Sequence, residues 1–419
     1  MQYDTYTKIL KKELVPAMGC TEPIAVAYCS AMARQTLGKV PDAIEIHASG
    51  NIIKNVKSVV VPNTGGLKGL PAAALIGVLY GDSSKGLQVI SGVTPEQSES
   101  LAQEMNNFEI TVDALDSSHV LDMEVILRKG EEYSSVRIWD THTNIVRIEK
   151  NGEVLLENME DSIEEQEEPD YDVLTVDGIF DYASHVDLNE VSEILERQIT
   201  YNMAISEAGM KGQYGARIGQ VIAKRGDEPR NRAKAAAAAA SDARMGGCEL
   251  PVVINSGSGN QGITASIPVI VYAEYYRKSR EELLRALLVS NLVTLHLKSG
   301  IGRLSAYCGA VSAGVGAGAG IAFLLTRDLR TVKHEIVNAL SITSGIVCDG
   351  AKASCAAKIA MAVESGILGF EMFEDGNQFY DGEGLVSKGV ENTIHNISAL
   401  GHEGMRETDR TIIEIMTRK

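Results

Sequence analysis

Hydrophobic and polar positions alternate in three different ways along this chain. Residues 1–38 carry an Ala-rich run, "AVAYCSAMARQTLG", that predicts a helix stopping at Gly38. Residues 39–156 change to β-rich runs with partial alternation: "AIEIHAS", "VKSVVV", "FEITVDAL", "LDMEVILRK" and "YSSVRIWD". Two helical segments interrupt them, "GLPAAALIGVLYG" and "TPEQSESLAQEMN", and Asn151-Gly152 in "EKNGEV" predicts a hairpin turn. From residue 173 to 419 the pattern is helical and rich in small residues. Asp187 with Glu190, and Ser279 with Glu282, read as capping boxes. "NRAKAAAAAASDARM" is a helix by propensity, and "EELLRALLVSNLVTLHLK" is apolar nearly all round, which suits the middle of a bundle. The pattern predicts an α+β protein. A mostly helical domain, 173–419, with the segment 1–38 docked on it, packs against a smaller α/β lobe, 39–156.

Between lobe and helices lies residues 157–172, "ENMEDSIEEQEEPDYD", with nine acids and no base; it reads as a solvated linker. It contributes much of a net charge of -17, which argues against nucleic acid as a partner. The N-terminus has no apolar signal region, so the expected compartment is the reducing cytosol, where structural disulfides are rare. The uncharged run Tyr307–Thr326 is crowded with Gly and Ala; it reads as a close-packed core helix rather than a membrane span.

Several familiar signatures fail on spacing. "GVGAGAG" lacks the dinucleotide fingerprint, "NSGSGNQG" lacks the nucleophile elbow, and "HEGMR" lacks the second histidine of a zinc protease. The cysteines say more. Cys348 and Cys355 flank an Asp349-Gly350 turn, and Cys308 opens a Gly-rich helix. Buried core thiols and a metal or iron–sulfur site both remain open on this spacing, which matches neither a ferredoxin run nor a zinc ribbon. Cys20, in "MGCTEP", stands at a predicted helix start, where a thiol gains thiolate character. The loop "VINSGSGNQGITASIP" offers backbone N–H groups to an anion such as a carboxylate.

In order, "MGCTEP", "VPNTGG", "INSGSGNQG", "AYCGAVSAGVGAGAGIA", "VCDGAKASCAAK" and "GMRETDRTIIEIM" resemble the L-cysteine desulfidase family, which is allied to the α chain of iron–sulfur L-serine dehydratases. The resemblance spans nearly the whole chain. It implies a [4Fe–4S] cluster with one open iron, held by Cys308, Cys348 and Cys355, with Cys20 as the base. The implied reaction is β-elimination of L-cysteine to sulfide, ammonia and pyruvate, without pyridoxal phosphate; the same scaffold serves L-serine. A non-catalytic iron–sulfur sensor or amino-acid-binding protein is the rival from another class. The expected partner is a small amino acid, neither nucleic acid nor membrane, and a homo-oligomer is left open. Asn63, Thr64, Asn255, Ser256, Ser258, Asn260, Gln261 and Lys352 are the candidate substrate-binding residues, while Cys29 and Cys248 match no motif and read as core thiols.

Overall fold

The computed structural model describes residues 3–158, 169–302 and 304–417. Most of the acidic run falls in 159–168, outside the described residues. The chain opens with α1 (Tyr3–Glu13), β1 (Pro16–Met18) and α2 (Thr21–Leu37). The lobe follows: β2 (Ala43–Ala48), α3 (Gly50–Val56), α4 (Gly69–Tyr80), α5 (Pro95–Glu104), β3 (Glu109–Ala114), β4 (Asp122–Lys129), β5 (Glu132–Trp139), β6 (Ile145–Lys150) and β7 (Glu153–Glu157). Its sheet has the order β3-β2-β4-β5-β6-β7; β2 and β3 are parallel and the other neighbours antiparallel. Alternation along the strands buries one face: Ile44 opposes Leu127, Ile46 opposes Val125, and all four are fully buried. The hairpin β6–β7 turns at Asn151 and Gly152, both with positive φ as its tight turn requires.

Two hydrophobic cores result. Ile24 to Leu37 of α2 pack with α4 and the inner face of the sheet, whereas Ile9 and Leu10 of α1 belong to the helical core. The segment 1–38 is therefore two helices shared between two cores, rather than one helix docked on the helical domain. β1 is clipped to the helical side by antiparallel pairing with β8 (Pro251–Val253). Cys20 follows immediately and sits at the junction.

The run "VKSVVV", expected as a strand, ends α3 and then turns; Val60 makes a single bridge, to Lys68. Ile52 and Val56 stand four apart and are both fully buried, so helical spacing outweighs β-branched composition here.

The helical part contains α6 (Val176–His185), α7 (Ser192–Lys211), α8 (Ile218–Ala223), α9 (Pro229–Met245), α10 (Gly259–Tyr275), α11 (Arg280–Ile301), α12 (Gly309–Thr326), α13 (Leu329–Thr343), α14 (Cys355–Glu374), α15 (Val390–Ala399) and α16 (Arg406–Thr417). The Ser279–Glu282 capping box opens α11. Asp187 instead caps a short 3-10 turn, bonding the Asn189 N–H, and α7 begins only after Val191; the expected box there does not form. α12 has the length and apolarity of a membrane span, but 83% of it is buried among its neighbours, as a core helix would be.

Glu335 on α13 is wholly buried, and neither carboxylate oxygen has a hydrogen-bond partner among the described residues. Burial pushes its pKa well above the ordinary carboxylate value, so it folds as the neutral acid. The unfolded chain releases that proton above about pH 4.3. Stability is thus full below that pH and declines as pH rises, by up to about 1.4 kcal/mol per pH unit. Glu335→Gln is expected to remove the decline. Denaturant unfolding at pH 5 and pH 8 checks this: the variant should gain on the wild type as pH rises, and a constant difference would contradict the assignment.

Candidate active site

The two cores meet around a cavity of about 100 Å³. Cys20, Cys308, Cys348 and Cys355 all line it, and all four are free thiols. Local backbone geometry brings them there from distant parts of the chain. The segment 306–308 pairs with 346–348: Tyr307 bridges Val347, Cys308 N–H donates to Ile346 at 3.1 Å, and Cys348 N–H donates to Ala306 at 2.6 Å. This pairing sets Cys348 beside Cys308 across forty residues of sequence. The Asp349-Gly350 turn then carries the chain into α14, of which Cys355 is the first residue. Gly350 has φ +88°, and a Cβ there would stand 2.2 Å from the Lys54 carbonyl oxygen of α3. Only glycine lets this turn lie against the lobe.

Four helices present their N-terminal ends to the cavity. Cys20 and Cys308 are the N-caps of α2 and α12, Ser258 is the N-cap of α10, and Cys355 opens α14. Each end adds partial positive charge. Lys54, Arg244, Lys298 and Lys358 also line the cavity, against a single carboxylate among the described lining residues, Glu22. In a chain of net charge -17 this is a concentrated positive site.

The thiols differ in character. Cys348 accepts a hydrogen bond from Cys308, and this, against the cost of burial and helped by Lys54 and Lys358, brings its pKa down to about 6. Cys308 is pushed well up by the same bond and by burial; Cys355 is pushed up by burial. Cys20 departs from the low-pKa thiol expected at a helix start. It is completely buried, and burial followed by the negative charge of Glu22 raises it well above its ordinary value. Its Sγ–H donates to Glu22 Oε2 at 3.1 Å. Burial works to raise the Glu22 pKa, yet His142, the Cys20 hydrogen bond and Arg244 together hold it low. Asn55 and Thr21 complete the Glu22 shell, each donating at 3.1 Å.

The wall of the cavity holds a set of buried polar atoms without hydrogen-bond partners among the described residues: Asn51 Oδ1, Asn55 Oδ1, Arg244 Nε, Asn260 Oδ1, Gln261 Oε1 and Tyr307 OH. Buried polar groups are ordinarily satisfied, so a cluster of orphans facing one space marks a binding site for a polar molecule. Arg244 ends α9 and lies over the start of α10, where a Cβ on Gly259 would meet its Nε at 2.3 Å.

Of the residues expected from sequence to bind substrate, Ser258, Asn260 and Gln261 line this cavity. Asn255 and Ser256 do not: Asn255 donates to Asn291 Oδ1 at 3.0 Å, and Ser256 forms a tight turn with φ 48° and faces neighbouring cavities. Asn63 donates to Ile90 O at 2.8 Å, tying its turn to a neighbouring segment, and Thr64 to Val61 O of its own turn at 2.7 Å; both side chains lie off the cavity wall. Lys352 braces the Asp349-Gly350 turn through both carbonyls and the Asp349 carboxylate. Cys29 and Cys248 are buried away from the cavity, Cys29 bonding Val136 O at 3.2 Å. Glu22, Asn51, Lys54, Asn55, Arg244, Lys298, Tyr307 and Lys358 also line the wall and were not among the expected residues.

The donors fit an iron–sulfur cluster in kind. Three soft thiols share one wall, one is already poised as a thiolate, and buried cations offset the added negative charge. Among the described residues, no three His, Cys, Asp or Glu side chains stand close enough to chelate a single metal ion. Ligands of a cluster bind separate irons and need not converge on one point.

A mostly helical α+β chain with a thiol-lined, cation-rich cavity between two cores is the class that these observations define. Residues 84–414 match the family model described as serine dehydratase alpha chain, and the chain belongs to that family. It is 53% identical over 415 residues to a UPF0597 protein of Desulfitobacterium hafniense, covering 99% of this chain and 96% of that one. UPF0597 proteins of Finegoldia magna and Lachnoclostridium phytofermentans are 49% and 48% identical, each with 99% of both chains covered.

Proposed function

We propose that the chain is an iron–sulfur-dependent lyase that eliminates the β-substituent of L-cysteine, yielding sulfide, ammonia and pyruvate. The observation that carries this reading is the single small cavity where Cys20, Cys308, Cys348 and Cys355 meet the orphaned polar atoms of Asn51, Asn55, Arg244, Asn260, Gln261 and Tyr307.

Cys308, Cys348 and Cys355 would hold a [4Fe–4S] cluster, which supplies Lewis acidity toward the leaving sulfur. The rest is work for the chain's own groups. Arg244 and the N-terminus of α10 take the substrate carboxylate. The side-chain oxygens of Asn51, Asn55, Asn260 and Gln261 accept from the ammonium group. Cys20 removes the Cα proton, with Glu22 as the acceptor that lets its thiol ionise. Burial of Cys20, Glu22, Arg244, Gln261 and Tyr307 limits the water that reaches the reacting atoms.

A second reading is dehydration of L-serine on the same residues, favoured by the match to the serine dehydratase alpha-chain model. Anaerobic purification, iron and acid-labile sulfide analysis, and parallel assays with both amino acids test the pair. The expected result is pyruvate with stoichiometric sulfide from L-cysteine. Pyruvate from L-serine alone would move the assignment to the second reading, and substrate binding without pyruvate from either would favour a binding protein.

A further inference from the structure

The reading above leaves a proton stranded. Cys20 is 3% exposed, and the wall around it is ringed by Lys54, Arg244, Lys298 and Lys358. These cations take no further proton. Glu22 is the carboxylate on that wall, and it is also shared with a second cavity of about 260 Å³. His142, in the turn between β5 and β6, is 8% exposed and lines the second cavity together with His119, Asp140 and His402. His119 stacks on Trp139 with ring centroids 4.4 Å apart and pairs with Asp140 at 2.9 Å. Asp140 and His402 are about half exposed, so this cavity reaches solvent.

We propose that Glu22 and His142 form a proton exit from Cys20 to the histidine-lined cavity. The proposal rests on Cys20 being the base. The Cα proton passes to Cys20 Sγ, and the Cα–H electron pair becomes the Cα=Cβ bond as the sulfur leaves with its own pair. Glu22, having first passed the thiol's own proton to His142, is a carboxylate again and holds the hydrogen bond from the Sγ–H across 3.1 Å. His142 gives that first proton to water or a buffer base. One proton leaves by this route per turnover: the thiol seen at rest ionises through Glu22 and His142 before the Cα proton is taken, and taking it restores the thiol beside the Glu22 carboxylate. Imidazole is suited to this step because it both takes and gives protons near neutral pH. Cys20, Thr21 and Asn55 are hydrogen-bonded to Glu22, and Arg244 shares the first cavity with it; those sharing the second cavity with His142 are Glu22, His119, Asp140 and His402.

Two measurements test the exit. With histidine ring nitrogens labelled, NMR titration follows the eight imidazoles in wild type and in Glu22→Gln. Loss of the carboxylate charge should lower the His142 midpoint by about one pH unit or more and leave exposed His185 unmoved. This arm needs neither cluster nor turnover. In anaerobic holoenzyme, His142→Gln should keep its iron, lose at least about ten-fold in kcat, and show a larger solvent deuterium isotope effect. Added imidazole should restore much of the rate. An unmoved His142 midpoint, or a His142→Gln enzyme with wild-type kcat and no imidazole response, would overturn the proposal. A wild-type protein that eliminates nothing but keeps the Glu22–His142 coupling supports the exit and overturns only the reading on which it rests.

Discussion

Cys348→Ala is expected to purify anaerobically without iron and without elimination activity, while remaining folded. Three physical features single out this thiol. Its pKa is brought down by the Cys308 hydrogen bond, with Lys54 and Lys358 beside it, which favours the thiolate that a metal binds. It sits on the backbone pairing that brings residues 346–348 against 306–308, so it is held in place by main chain as well as packing. Lys54 and Lys358 are placed to balance its charge. Removing the sulfur takes away both a soft ligand and the acceptor for the Cys308 thiol. The fold should survive, because Lys54 keeps its 2.5 Å pair with Asp409 of α16 and Lys358 keeps its bonds to Val347 O and the Asp349 carboxylate. Iron and acid-labile sulfide per chain, visible absorbance and far-ultraviolet circular dichroism read the outcome. Iron at the wild-type level in a folded Cys348→Ala protein would remove Cys348 from the ligand set.

The fold class was legible because periodicity is a local property. Strands β2, β4 and β5 alternate, and α9 to α12 run apolar or Ala-rich for many turns. The errors fall where composition and spacing disagree. "NIIKNVKSVVV" is rich in β-branched residues, yet the helical spacing of Ile52 and Val56 governs, and that helix carries Asn51, Lys54 and Asn55 to the cavity. The expected strand "VKSVVV" began only at Val56, and the residues just before it, with all three, were given no element. Arg244 is hidden differently: it closes an alanine run whose helix propensity is so strong that a functional side chain at its end leaves no mark. Glu22 stands in the same "GCTEP" motif as Cys20, and a carboxylate two residues from a proposed base was the available signal. Asn63 and Thr64 show the converse case. A polar Gly-rich turn looks like an anion nest, but its side chains are spent on backbone carbonyls, Thr64 on one of its own turn and Asn63 on Ile90. The cysteines became interpretable through ordered motifs, since spacing alone favoured core thiols over ligands. What no one-dimensional pattern contains is the meeting of four helix N-termini, because it depends on how two separate cores dock.

Cys20→Ala is expected to retain its iron and lose elimination by about 10²- to 10⁴-fold, the usual cost of deleting a general base. Position separates Cys20 from the other cavity thiols. It caps a helix of the α/β lobe, and its Sγ–H is committed to Glu22 at 3.1 Å rather than to another cysteine. Its raised pKa makes the proton hard to lose unaided, which suits a strong base generated only when Glu22 can take that proton. Deleting the sulfur leaves Glu22 still held by Asn55 and Thr21, so the carboxylate is not abandoned and the fold should hold. Cys20→Ser sharpens the test. A hydroxyl preserves the hydrogen bond to Glu22, but its alkoxide is inaccessible at neutral pH, so activity should stay as low as in the alanine variant. If serine restored the rate, the role of Cys20 would be a hydrogen bond rather than proton abstraction. If Cys20→Ala came through anaerobic purification without iron, the thiol would be a ligand. Were sulfide release unchanged in Cys20→Ala, the proton would go to another group on the wall, and Glu22, already charged and facing the same space, would be the first to replace next.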